Sequence, residues 1–61
     1  MKVRVIPSKR YLTGNFFSGD ILDNKIYNVV EIHNDLPLYN IVDESGEEFT
    51  YPAEMFEIVE D

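Results

Sequence analysis

Lys2-Val3-Arg4-Val5-Ile6 alternates polar and apolar side chains, with β-branched residues at the apolar steps, and this predicts a first strand. Pro7 removes a backbone donor, so regular pairing stops there or the strand lies at an edge. Residues Ser8 to Asn24 show no sustained period and contain Gly14 and Gly19, which makes them one long connection. It carries Tyr11, Leu12, Phe16, Phe17, Ile21 and Leu22, too many apolar residues for a slack loop. It is expected to fold back onto the rest of the chain. Lys25 to His33 (KIYNVVEIH) gives the strongest strand signal. Apolar residues occupy both parities, which leaves open which parity faces inward.

Asn34-Asp35-Leu36-Pro37 reads as a turn, because Pro37 holds Leu36 extended. Leu38 to Val42 is the next strand. Asp43-Glu44-Ser45-Gly46 is a hairpin turn, with Gly46 at its left-handed position. Glu47 to Tyr51 returns with Phe49 and Tyr51 on one face and Glu48 and Thr50 on the other. Pro52-Ala53-Glu54-Met55 suits a single 3₁₀ turn with Pro52 at its first position. Phe56-Glu57-Ile58-Val59 closes the chain as a fifth strand, and Phe49 and Phe56 are expected in the core. The resulting fold class is all-β: a small, five-stranded, partly open barrel with a long first loop and a 3₁₀ turn before the last strand.

Sixty-one residues allow a single domain spanning 1–61, of a size at which burial and chain entropy nearly cancel. The chain has no cysteine, so no disulfide or zinc-finger spacing can add stability. Packing must suffice, and the eight aromatic residues supply the area for it. The absence of cysteine fits a reducing cytoplasm. The amino-terminal stretch has no apolar signal region, and no run approaches the roughly 18 apolar residues of a membrane span.

The string GEEFTYPAEMFEIVE, with IYNVVEI and LYNIVDESG before it, resembles a group of small, uncharacterised SH3-like barrel proteins of low-GC Gram-positive bacteria and their phages. The resemblance covers about residues 25–61. It implies the SH3-like layout and a bacterial or mobile-element origin, and it implies no activity. Proline-peptide recognition by eukaryotic-type SH3 domains uses aromatic residues that this chain lacks. There is no tryptophan, Met55 stands where a tyrosine is expected, and Val3-Arg4-Val5-Ile6-Pro7 is not an aromatic first-strand motif.

Charge is distributed unevenly. Residues 1–30 hold all five cations and two acids, whereas residues 31–61 hold ten acids and no cation, for a net charge of −7. Such a chain repels phosphates, which argues against direct nucleic-acid binding. The acidic half instead suits a solvated face, a docking surface for a basic partner, or a mimic of nucleic acid. Because the two halves differ in sign, a weak homodimer is a further expectation.

Catalysis would need a nucleophile with a base, a metal site, or paired carboxylates in a cleft. The lone His33 sits beside Asn34 and Asp35, and no motif surrounds Ser8, Ser18 or Ser45. The turn acids lack the alternating spacing of a calcium loop. These readings point to no enzyme, no metal and no cofactor.

Two segments are candidates for docking a protein partner. The first is the long loop, with Lys9, Arg10, Tyr11, Phe16 and Phe17, whose aromatic residues either cap an open barrel end or anchor a partner. The second is the acidic hairpin of Asp43, Glu44, Glu47 and Glu48. The expectation is a cytoplasmic, non-enzymatic protein-interaction module with no membrane contact; the alternative is an acidic decoy that occupies the site of a nucleic-acid-binding protein.

Overall fold

The computed structural model describes residues 1–12, 15–16 and 19–61, with backbone only at 12, 15 and 16. Its main sheet contains β1 (Lys2–Val5), β4 (Ile26–Ile32), β5 (Leu38–Val42), β6 (Glu48–Pro52) and β7 (Phe56–Glu60), in the order β6-β5-β4-β1-β7. Every pairing is antiparallel. A 3₁₀ turn, Ala53–Met55, separates β6 from β7, so the all-β, partly open barrel expected from the sequence is the fold observed. Among the described residues β6 and β7 form the sheet's two outer edges.

The long first loop holds structure that its polarity pattern concealed. A 3₁₀ turn, Pro7–Arg10, leads into a two-stranded ladder of β2 (Tyr11–Leu12) and β3 (Asn15–Phe16). Pro7 begins that turn, where a missing N–H costs nothing. Pro52 behaves differently from the expectation. It is the last residue of β6, extended at φ −61° and ψ 130°, and stands just before the 3₁₀ turn instead of opening it.

The core is formed by Val3, Val5, Ile21, Tyr27, Ile41, Tyr51 and Met55. Tyr27 and Val29 identify the inward parity of β4. The register shifts between Val29 and Glu31, so one extra residue interrupts the alternation there. Ile21 shows that the end of the long loop folds back into the core, as its apolar content requires. Tyr51 and Phe56 pack edge to face with ring centroids 6.3 Å apart, and Tyr39 lies 6.2 Å from Phe56.

The placement of Phe49 in the core is overturned. It has the same parity as Tyr51 but is 47% exposed, whereas Tyr51 is buried. Both belong to an edge strand, and Tyr51 is covered by the long loop at Asp20 and by Phe56. Phe56 is partly buried against the core. Gly46 has φ +82°, the left-handed conformation expected of it, and a side chain there would have open space around it.

Candidate protein-docking surface

The Asp43–Glu47 hairpin is held from inside by two tyrosine–carboxylate pairs. Tyr51 Oη donates to Asp43 Oδ2 at 2.6 Å and accepts from the Asp20 backbone N–H at 3.1 Å. Tyr27 Oη donates to Glu44 Oε2 at 2.6 Å and accepts from the Leu22 N–H at 2.9 Å. The backbone adds a bond from the Glu44 N–H to the Asp20 carbonyl at 2.8 Å. Residues 20–22 are thereby attached to both the hairpin and the core. Each hydroxyl is donor to one element and acceptor from the other, which is why tyrosine and not phenylalanine suits these positions.

Asp43 is buried and organises the turn itself. Its Oδ1 accepts from the Ser45 N–H at 2.9 Å and its carbonyl from the Gly46 N–H at 3.0 Å, an Asx-type turn. Burial pushes its pKa up, but the hydrogen bonds from Ser45 and Tyr51 outweigh that and hold the carboxyl below its ordinary value. Glu44 is also held low, first by the Lys25 ammonium 2.6 Å away and then by Tyr27. Tyr27 and Tyr51 shift the opposite way, to about 12. Burial is the larger cause, followed by donation to a carboxylate that resists a second negative charge.

The structure therefore separates the acidic residues read as one docking face. Asp43 faces inward and is structural, while Glu44, Glu47 and Glu48 are exposed. Glu48 stands opposite Val42 on the outward face, where it accepts from Asn40 Nδ2 at 2.8 Å. Asn40 Oδ1 accepts from Thr50 Oγ1 at 2.6 Å and lies 2.9 Å from His33 Nε2. Because an amide oxygen only accepts, Nε2 of His33 carries the proton. The sole histidine thus fixes the outer surface of β5, a partner that spacing alone did not disclose.

The long-loop candidates also separate. Arg10 is buried, with its guanidinium 2.7 Å from Asp23 Oδ1 and donating to the Ile21 carbonyl at 3.3 Å. It anchors the loop and does not share an outward patch with Lys9, which is exposed. Tyr11 is 63% exposed on β2. Phe16 lies in β3, described by its backbone only, and Phe17 lies outside the described residues.

Topology brings three cations of the first half to acids of the second. Because β1 lies between β4 and β7, Arg4 reaches Glu57 at 2.8 Å and Asn24 Oδ1 at 2.8 Å, and Lys2 lies 4.0 Å from Glu60. With Arg10–Asp23 and Lys25–Glu44, four of the five cations have an acidic partner. Among the described residues, which include every charged side chain, Lys9 is the one cation outside an ion pair, against eight such acids. No group of three or more histidine, cysteine or acidic side chains is positioned to hold a metal ion among the described residues, and no helix there is long and apolar enough to cross a membrane.

The fold and this surface define a small open β-barrel that presents a braced acidic hairpin. No protein-family model, curated protein or solved structure matches the chain.

Proposed function

We propose that this chain is a non-enzymatic interaction module of SH3-like layout that docks a basic protein partner through the outer side of its acidic hairpin, chiefly Glu47 and Glu48, with Glu44 held in place by Lys25. The observation that carries this reading is the charge left after internal pairing: one cation against eight acids. A turn braced by Asp43, Tyr27 and Tyr51 presents those carboxylates with little ordering entropy to lose, which favours binding. The lack of cysteine supports a reducing cytoplasm as its setting, and the resemblance of residues 25–61 supports a bacterial or phage origin.

The same unpaired carboxylates favour a second reading, an acidic decoy that occupies the site of a nucleic-acid-binding protein. Affinity capture from a bacterial lysate separates the two, using wild type, Phe17→Ala, and Glu47→Gln combined with Glu48→Gln as baits. Loss of a basic partner with the charge-neutral hairpin supports docking there. Loss only with Phe17→Ala transfers the docking site to the long loop. A captured DNA-binding protein that duplex DNA displaces, with affinity falling steeply as salt rises, establishes the decoy.

A further inference from the structure

Beside the hairpin, the outward face of β4 and β5 contains an open depression of about 450 Å³. Ile26 and Val30 of β4 and Val42 of β5 form its apolar floor, exposed by 50%, 50% and 45%. The Lys25–Glu44 ion pair and Gly46 line its rim. Glu48 is cross-strand neighbour to Val42, so a carboxylate flanks the floor on the β6 side as Glu44 does on the hairpin side. Three branched aliphatic side chains on the solvent face of a sheet, between an ion pair on one side and the Glu48 carboxylate on the other, are not explained by the core, which lies on the other face. Their grouping beside charged groups, the Lys25–Glu44 pair on the hairpin side and Glu48 on the β6 side, has the anatomy of a docking surface, an apolar centre within a charged rim.

We propose that this depression seats an aliphatic side chain of a basic protein segment, whose flanking cations meet Glu48 and its chain neighbour Glu47, the two exposed hairpin carboxylates outside an ion pair. The proposal rests on the docking function above and specifies the partner's chemistry. Charge complementarity selects the occupant. A second copy of this chain could offer only Lys9 outside an ion pair and would bring its own excess of acids, so the positive charge must come from another protein. The partner motif is one aliphatic residue between arginines or lysines, in an extended conformation that lets a single side chain descend between Ile26, Val30 and Val42.

The probes are two synthetic peptides. One has a central leucine with two arginines on either side, and the other has glycine in place of the leucine. Titration of the wild-type protein, followed by amide chemical shifts, should show the leucine peptide binding about tenfold tighter, the effect of burying most of one such side chain. Shift changes should concentrate at Ile26–Val30 and Val42–Gly46. Val30→Thr with Val42→Thr, near-isosteric changes that keep β-branching, should bring the two peptides to equal affinity while both still bind. If that double variant fails to fold, Ile26→Thr serves the same comparison.

Equal affinities in the wild type, or shifts centred on Lys9–Tyr11, would overturn the proposal. If both peptides bind equally and both weaken with Glu47→Gln and Glu48→Gln, acidic docking stands and the apolar seat falls. If neither peptide responds to those hairpin changes, the docking function itself falls. A dimer of the free protein in sedimentation equilibrium, lost in Val30→Thr, would assign the face to a second copy and also overturn the proposal.

Discussion

Replacing Tyr51 with phenylalanine tests the brace between the hairpin and the long loop while keeping the buried ring. The change deletes a hydroxyl that donates to the Asp43 carboxylate at 2.6 Å and accepts from the Asp20 N–H at 3.1 Å. A hydrogen bond to a charged group contributes about 1.5–3 kcal/mol net. Asp43 keeps its bond from the Ser45 N–H, and the exposed Asp20 N–H can turn to water, so both losses are partly recovered. The expected cost is about 2 kcal/mol. In a domain this small, each kcal/mol moves Tm by about 4–8 °C, which gives a fall of about 8–16 °C. Thermal unfolding followed by circular dichroism at neutral pH measures it. A cycle with Asp43→Asn should show the two changes to be non-additive by about 1 kcal/mol or more. A Tm loss below about 3 °C, or simple additivity, would refute the brace.

The remaining predictions concern pH, the turn and the core. Tyr27 and Tyr51 have pKa values raised to about 12 from an ordinary 10.0, so their stabilisation is complete below pH 10 and lost as pH rises toward 12. Far-ultraviolet circular dichroism should therefore show the fold being lost across that window, and a fold that persists unchanged to pH 12 would contradict it. Asp43 and Glu44 titrate below their ordinary 3.8 and 4.5, so their stabilisation is present above those values and disappears as pH falls further, which an acid unfolding curve for Asp43→Asn should shift. Gly46→Val should cost about 1–2 kcal/mol through backbone conformation alone, and Gly46→Asn less; equal Tm values for the two would exclude positive φ as the cause. Met55→Ala should cost about 2–5 kcal/mol and Phe56→Ala about 2–3, whereas the half-exposed Phe49→Ala should cost about 1, an order that denaturant unfolding can check.

Strand positions, the hairpin glycine and the 3₁₀ turn were legible because each depends on local rules: period 2, positive φ, and the geometry of the residues around proline. The β2–β3 ladder escaped because a two-residue strand is too short to show a period. Phe49 was misplaced because alternation gives a residue's face but not whether anything covers that face, and cover over an edge strand comes from distant segments. Arg10 lay hidden for the same reason, since its partner Asp23 is thirteen residues away with no helical or strand spacing between them. Of the site, the acidic hairpin was visible as composition. The apolar seat was not, because Ile26, Val30 and Val42 became neighbours only when β4 paired with β5, and because apolar residues at both parities of β4 looked like burial on both sides.

The two outer edges of the sheet have a consequence for crowding. A strand with an open ladder side is a template on which another chain can polymerise. Here β6 carries Glu48 and ends in Pro52, which has no N–H to offer, and β7 carries Glu57 and Glu60 with a register irregularity opposite Lys2–Val3. Each boundary is thus irregular, β6 through Pro52 and Glu48, a carboxylate outside any ion pair, and β7 through its register shift, which disfavours a ladder forming between two copies. An incomplete barrel is in this way built to limit edge-to-edge strand pairing.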